Sequence, residues 1–262
     1  MPGLWITAAA LAAGQAEPPS PPLQPLAKWT VEYNNADCTM SRSFGTAASP
    51  VTFAFQPSPT GSLGEVVLLL PADGRKGVRR GEGTITLHPS GQRFEARYAI
   101  GPLSDGRRGA RFAAEQDFWD ALPGATALTM DLGGEEPFSV ALGRMTGPLS
   151  AIKTCTDDLI RGWGAEPGAI ARWPKHARIG AYFSSDNYPR DAIRAGAQGR
   201  TVALIIVHRA GEPVTCRTVR SAGHPSLDAK VCEIVTKRRF EPAADGPERR
   251  FAVLPVRWQL PP

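Results

Sequence analysis

Along residues 29–142 apolar and polar positions alternate at a period of two, the mark of strands with one buried face. Trp29, Val31 and Tyr33 fall on one side, Thr30 and Glu32 on the other. Met40, Arg42 and Phe44 continue this rhythm, and Val51, Phe53 and Phe55 share a face. Residues 65–70 form a continuous apolar strand ended by Pro71. Strands over 83–88 and 93–100 flank the turn Pro89-Ser90-Gly91, and strands over 127–132 and 138–142 flank Gly133-Gly134. Short strands with Gly and Pro turns predict a sandwich or a strongly curved sheet. Two helices interrupt. One covers 116–122 and stops at Pro123-Gly124. The other has Thr146 as its cap, Pro148 in its first turn and Gly164 past its end. Its apolar positions Leu149, Ile152, Cys155, Leu159 and Trp163 recur at steps of three and four, which makes one buried stripe.

The pattern changes near residue 185. A short helical stretch over 190–195 ends at Gly196 and Gly199, and the β-branched run 201–208 follows. The turn 210–213 leads into a returning strand over 214–220. Ser226 caps a helix whose apolar face is Leu227, Val231, Ile234 and Val235, with Asp228 in its first turn. A last strand runs over 249–260. The fold class is therefore α+β: a β-rich, sandwich-like domain over 28–165 with one helix at its C-terminal end, a linker over 166–184, and a smaller two-helix, three-strand unit over 185–262.

Composition adds compartment and charge. Residues 3–14 are apolar, and small residues precede Glu17, a pattern that predicts a secretory signal over 1–16. The run of about 12 residues is short of the roughly 20 that span a bilayer. The expected location is the periplasm. An uncleaved signal acting as an inner-membrane tether is the alternative. Residues 17–27 read as a proline-rich tether, and nine residues of it in polyproline II form would reach about 28 Å. The net charge of +5 is unevenly spread. Residues 172–262 hold 16 Lys and Arg against 8 Asp and Glu, while residues 1–171 hold 14 against 17. The basic half suits an acidic partner segment. Nucleic acid is not expected as a partner, because export removes it and no aromatic-basic platform is present.

Four cysteines in an oxidising compartment predict two disulfides, read as Cys38–Cys155 and Cys216–Cys232. There is no CxxC, and the four histidines form no ligand cluster with the cysteines, so neither a metal nor a cofactor is expected. His88 reads as a solvated turn residue, Arg75, Lys76, Arg79 and Arg80 as a solvated basic loop, and Glu135-Glu136 as a turn pair without a partner. GxSxG, HExxH and P-loop motifs are absent. His176, Ser184, Ser185 and Asp186 are neighbours in sequence only, so no enzyme activity is expected.

One ordered series remains. Tyr188-Pro189, Gly199, the hairpin Gly211-Glu212-Pro213-Val214, Ser221-Ala222-Gly223, Leu227-Asp228, Phe240-Glu241-Pro242 and Pro255-Val256-Arg257-Trp258 together resemble the TonB C-terminal domain, over about residues 185–262. The resemblance implies a periplasmic protein that meets outer-membrane receptors and takes a short receptor segment as an added strand. The implied docking strand is the last one, with Arg250, Phe251, Ala252, Val253, Leu254, Val256, Arg257 and Trp258. Pro255 lacks an N–H and places that strand at an edge or bulge. The sequence departs from a full TonB protein: the proline-rich stretch is short, and a β-rich domain stands in the spacer's place. These departures leave strand-mediated binding in place and open a second reading, a structural or adaptor module of the envelope that pairs with itself or a partner.

Overall fold

The computed structural model describes residues 21–33, 36–59, 63–173 and 182–260. The signal over 1–16 and the first residues of the tether lie outside these. Nine strands build the larger sheet: β1 (Thr30–Tyr33), β2 (Cys38–Thr46), β3 (Ser49–Pro57), β4 (Leu63–Leu70), β5 (Arg79–His88), β6 (Gln92–Pro102), β7 (Arg108–Glu115), β8 (Ala127–Asp131) and β9 (Phe138–Ala141). Their order is β1-β2-β3-β4-β7-β6-β5-β8-β9, with every pairing antiparallel. Of the two expected forms, a sandwich or a strongly curved sheet, the structure takes the second, one continuous curled sheet. Its concave side holds a single core around Phe44, Phe53, Phe55, Leu68, Phe112 and Leu128.

Residues 21–27 contribute to this curl. Leu23 pairs with Val140 of β9, and Pro25 pairs with Phe44 of β2. The Leu23 N–H donates to the Ser139 carbonyl at 2.7 Å, and the Gly45 N–H donates to the Gln24 carbonyl at 2.8 Å. The segment therefore bridges strands from opposite ends of the sheet order, and over its described part the expected tether is not free. Strand β7 escaped the sequence pattern because two of its three inward residues, Ala110, Phe112 and Ala114, are alanine.

Two polar sites differ from expectation. His88 is buried, with Nε2 2.8 Å from Thr129 Oγ1, which lies 2.8 Å from Ser139 Oγ. The three side chains satisfy one another inside the sheet, which lowers the cost of burying them. Glu135 has partners after all. Arg75, Arg79 and Arg108 approach its Oε1 at 2.9, 2.7 and 3.1 Å. The expected solvated loop is therefore partly a clamp on a carboxylate. Hydrogen bonding from Arg108, followed by its charge and those of Arg79 and Arg75, lowers the Glu135 pKa against the opposing effect of burial. A carboxylate with a lowered folded pKa contributes stability that is complete above its unfolded pKa, about 4.3, and is lost as pH falls through the lower folded value. Glu135→Gln should cost about 1–2 kcal/mol at neutral pH and remove this part of the acid-induced loss. Melting of both chains between neutral and acidic pH checks this, and identical acid limbs would contradict it.

Helices α1 (Gln116–Ala121) and α2 (Thr146–Gly162) complete the β-rich domain. Thr146 is the first helical residue of α2 and Met145 occupies the cap position, so the expected Thr146 cap is one residue late. Ile152, Leu159 and Ile160 of α2 are buried. Cys155 is bonded to Cys38 at the start of β2, with Cα atoms 6.1 Å apart.

The C-terminal unit consists of α3 (Arg190–Arg194), β10 (Gly199–His208), β11 (Pro213–Arg220), α4 (Pro225–Val235) and β12 (Arg249–Trp258). Its sheet has the order β11-β10-β12. Cys216 of β11 is bonded to Cys232 of α4. The expected Ser226 cap is displaced: His224 holds the cap position and Pro225 opens the helix, where its missing N–H costs nothing. One face of this sheet packs Ala203, Ile205, Ala252 and Leu254 against Leu227, Val231 and Val235 of α4. The other face carries Leu204 and Phe251 into the core of the β-rich domain, with Val219 and Val253 packed beside them. Polar contacts reinforce the junction. Arg220 pairs with Asp37 at 3.0 Å, Arg217 donates to the Trp163 carbonyl at 2.7 Å, and Arg200 lies 3.6 Å from Glu65.

Candidate functional site

Strand β12 pairs with β10 along one side, from Arg249 opposite His208 to Trp258 opposite Gly199. In an antiparallel pair, main-chain groups point alternately toward and away from the partner strand. The direction at each residue follows from Phe251. Its N–H donates to the Ala169 carbonyl at 2.8 Å, and its carbonyl accepts from the Ala171 N–H at 2.7 Å. Phe251 therefore faces away from β10, as do Val253, Pro255 and Arg257. Residues 169–171 occupy the first outward position as a short parallel bridge at Ile170. The segment then turns off, where the Arg172 carbonyl accepts from the Glu241 N–H at 2.9 Å. Beyond it, no described residue pairs with the outward main chain of Val253, Pro255 or Arg257.

Side chains follow the same alternation. Ala252, Leu254, Val256 and Trp258 are buried beneath the helices, so these four expected docking residues act in the core. Phe251 is buried toward the β-rich domain and Val253 is half-buried there. Arg250 is also buried and donates to the Glu241 carbonyl at 2.6 Å. Pro255 and Arg257 are exposed. Of the expected residues, only Val253 and Arg257 keep an N–H available to an added strand. Pro255 offers a carbonyl alone, at a position where its missing N–H faces outward, as an edge strand tolerates.

The motif residues lie elsewhere and hold the unit together. Asp228 accepts from Thr201 Oγ1 at 2.8 Å, Ser221 Oγ at 2.5 Å and the Ala222 N–H at 2.9 Å. This ties α4 to β10 and to the loop after β11. Trp258 Nε1 donates to Thr201 Oγ1 at 3.2 Å. Tyr188 donates to the Ala197 carbonyl at 2.5 Å and meets Trp258 edge-on at 5.3 Å, and burial raises its pKa. Pro189 caps α3, and Leu227 is fully buried. Phe240 is buried against Trp173, ring centroids 4.0 Å apart, while Pro242 is exposed beside it. Gly211 has φ +94°, and a Cβ there would collide with the Phe240 carbonyl. A Cβ at Gly199 would overlap the Ala222 carbonyl, so this glycine serves close approach and not chain freedom. Gly223, at φ +89°, adopts the left-handed conformation that glycine reaches at no steric cost.

A cleft of about 950 Å³ opens along the unpaired edge. One wall is Val253, Leu254 and Pro255 with residues 170–173, and the other comes from the β-rich domain. The wall residues of the β-rich domain carry no motif and were not expected. Ser184 and Asn187 bond to each other around a short 3₁₀ turn that includes Ser185 and Asp186, and His176 lies outside the described residues. Among the described residues no group of three or more His, Cys, Asp or Glu is arranged to hold a metal, and no helix is long and apolar enough to cross a membrane.

Residues 184–260 match the family model described as the Gram-negative bacterial TonB protein C-terminal. The match covers the C-terminal unit and stops short of the β-rich domain. No curated protein and no solved structure matches the chain.

Proposed function

With a TonB-type C-terminal domain at residues 184–260 as the premise, we propose that this is a periplasmic protein that binds an extended partner segment. The segment adds as a strand to the outward edge of β12 and thereby links the protein to outer-membrane receptor-mediated transport. The observation that carries this reading is the outward edge from Val253 to Arg257: residues 169–171 pair with Phe251, and no other described residue pairs with that edge. An open edge supplies affinity through main-chain hydrogen bonds, and flanking pockets supply selectivity. The reading involves no catalytic step and no cofactor. Mature protein starting near Glu17 places it in the periplasm, and an uncleaved signal tethers it to the inner membrane. The test is binding of the intact chain to peptides from the periplasm-facing ends of outer-membrane receptors, with and without the outward N–H at position 253. Binding that survives loss of this N–H contradicts strand addition to β12.

The second reading, a structural or adaptor module, draws on β11. This strand is the other edge of the small sheet and exposes Val214. Pairing of two copies there would give a homodimer without any receptor.

A further inference from the structure

The larger sheet parts between two of its strands. β6 and β7 pair from Pro102 opposite Arg108 to Tyr98 opposite Phe112, and there the ladder stops. Both strands run on, β6 along β5 to Gln92 and β7 along β4 to Glu115. Continued in the same register, the ladder would set Glu95 directly opposite Glu115, and like charges so placed repel. Both glutamates are exposed, and among the described residues neither has an ion-pair partner.

A cleft of about 650 Å³ opens in the gap. Its floor is apolar. Half-buried Phe94 meets Phe118 edge-on at 5.4 Å, with Ala96 and Ala114 buried beside them. Its charged lining is Glu82, Glu95, Glu115, Asp117 and Asp131 against Arg93 and Arg97, five carboxylates to two cations. Arg97 already faces Glu82 at 3.4 Å. Main-chain groups point into the gap as well. The Leu103 N–H donates to the Arg107 carbonyl at 2.7 Å, so the odd-numbered residues of β6 turn toward β7. Beyond the last pair, no described residue bonds to the main chain of Glu95 or to the Arg97 N–H.

We propose that this split is a second docking groove, and that it takes an extended basic segment of a partner protein in which lysine or arginine alternates with apolar residues. The segment adds to β6 beside Glu95 and Arg97. Its side chains then alternate between the two faces of the sheet. The inward set reaches Phe94 and Phe118, and the outward set lies at Glu95 and Glu115. A cation between the two glutamates gains two counter-charges and relieves their repulsion, while an acidic segment meets the carboxylate surplus. The outward contacts are solvent-exposed, so salt screens them. The groove belongs to the β-rich domain and does not rest on strand addition to β12.

The experiment uses the full chain and an acetylated, amidated peptide of about eight alternating lysine and valine residues. A glutamate–valine peptide of the same length is the control. The lysine peptide should bind about tenfold more tightly and lose affinity as salt is added. A glutamate peptide that binds equally or more tightly overturns the assigned chemistry. Glu95→Gln with Glu115→Gln alters two exposed side chains, so it should leave the protein folded and weaken lysine-peptide binding about tenfold. Val253→Pro should leave that binding unchanged. Affinity that ignores the glutamine changes and falls on Val253→Pro overturns this groove and leaves strand addition to β12 standing. Hydrogen exchange of the unaltered chain gives a second readout. Bound lysine peptide should slow the Glu95 and Arg97 amides by about tenfold. Binding that leaves both amides unchanged, or no binding at all, overturns the groove.

Discussion

Val253→Pro is expected to abolish partner binding while leaving the protein folded. The alternation set by Phe251 turns the Val253 N–H away from β10, so its loss removes no hydrogen bond from the β10–β12 ladder. Proline at such a position behaves as Pro255 already does on this strand. The costs are a φ drawn toward about −65° and part of the apolar contact that half-buried Val253 makes with the β-rich domain. Together these amount to about 1–2 kcal/mol. An added strand is affected far more. With proline at both 253 and 255, Arg257 is the one outward donor left between positions 253 and 257, and affinity should fall by a hundredfold or more, about 3 kcal/mol. Val253→Ala separates the two effects, because it loses the same side-chain contact and keeps the N–H. Titration of both variants with a receptor peptide, alongside their melting curves, checks this. Equal affinities for the two variants would show that the N–H plays no part.

Cys38→Ala with Cys155→Ala should cost more stability than loss of the other disulfide. The bond closes 117 residues of sequence, a constraint worth about 4–5 kcal/mol in the chain-entropy model. The natural comparison is Cys216→Ala with Cys232→Ala, where the separation is 16 residues and the same model gives about 3 kcal/mol. The first bond also fixes where α2 docks, since Cys38 begins β2 and Cys155 lies mid-helix. Against a total stability of about 5–15 kcal/mol, loss of the first bond is a large fraction. Denaturant unfolding of the two double variants measures the difference. A smaller loss for the Cys38–Cys155 pair than for the Cys216–Cys232 pair would contradict this ranking.

Much of this was legible in the sequence where burial is one-sided. Val51, Phe53 and Phe55 share one face at a period of two, and β3 is where they placed it. The stripe from Leu149 to Trp163 gave α2, with Cys155 positioned for Cys38. The small unit followed from its ordered motifs, and Asp228, read only as a favourable charge in the first turn of α4, proved to be the knot joining three segments. The closure of the curled sheet by residues 21–27 was hidden. Proline-rich sequence suggests extension, and nothing local specifies what an extended segment will lie against.

The junction between the domains was hidden for a related reason. Residues 202–207 are apolar at both parities, which is how a strand covered on two faces reads, but the run does not name the second cover. Arg200, Arg217 and Arg220 belong to the basic half of the chain, and they turn to Glu65, the Trp163 carbonyl and Asp37 within the same chain. The far wall of the cleft beside β12 had no signal at all, because Pro57, Gly64 and Ala113 are ordinary residues made adjacent by folding.

The most direct test of the central claim is residue-resolved hydrogen exchange of the intact chain, free and saturated with a receptor peptide. The inward amides of Ala252, Leu254 and Val256 are already held in the ladder and should change little. Strand addition to β12 should slow exchange at the outward amides of Val253 and Arg257 by tenfold or more, about 1.4 kcal/mol of added protection. Protection confined to β11, or saturated binding with Val253 and Arg257 unchanged, would contradict the account.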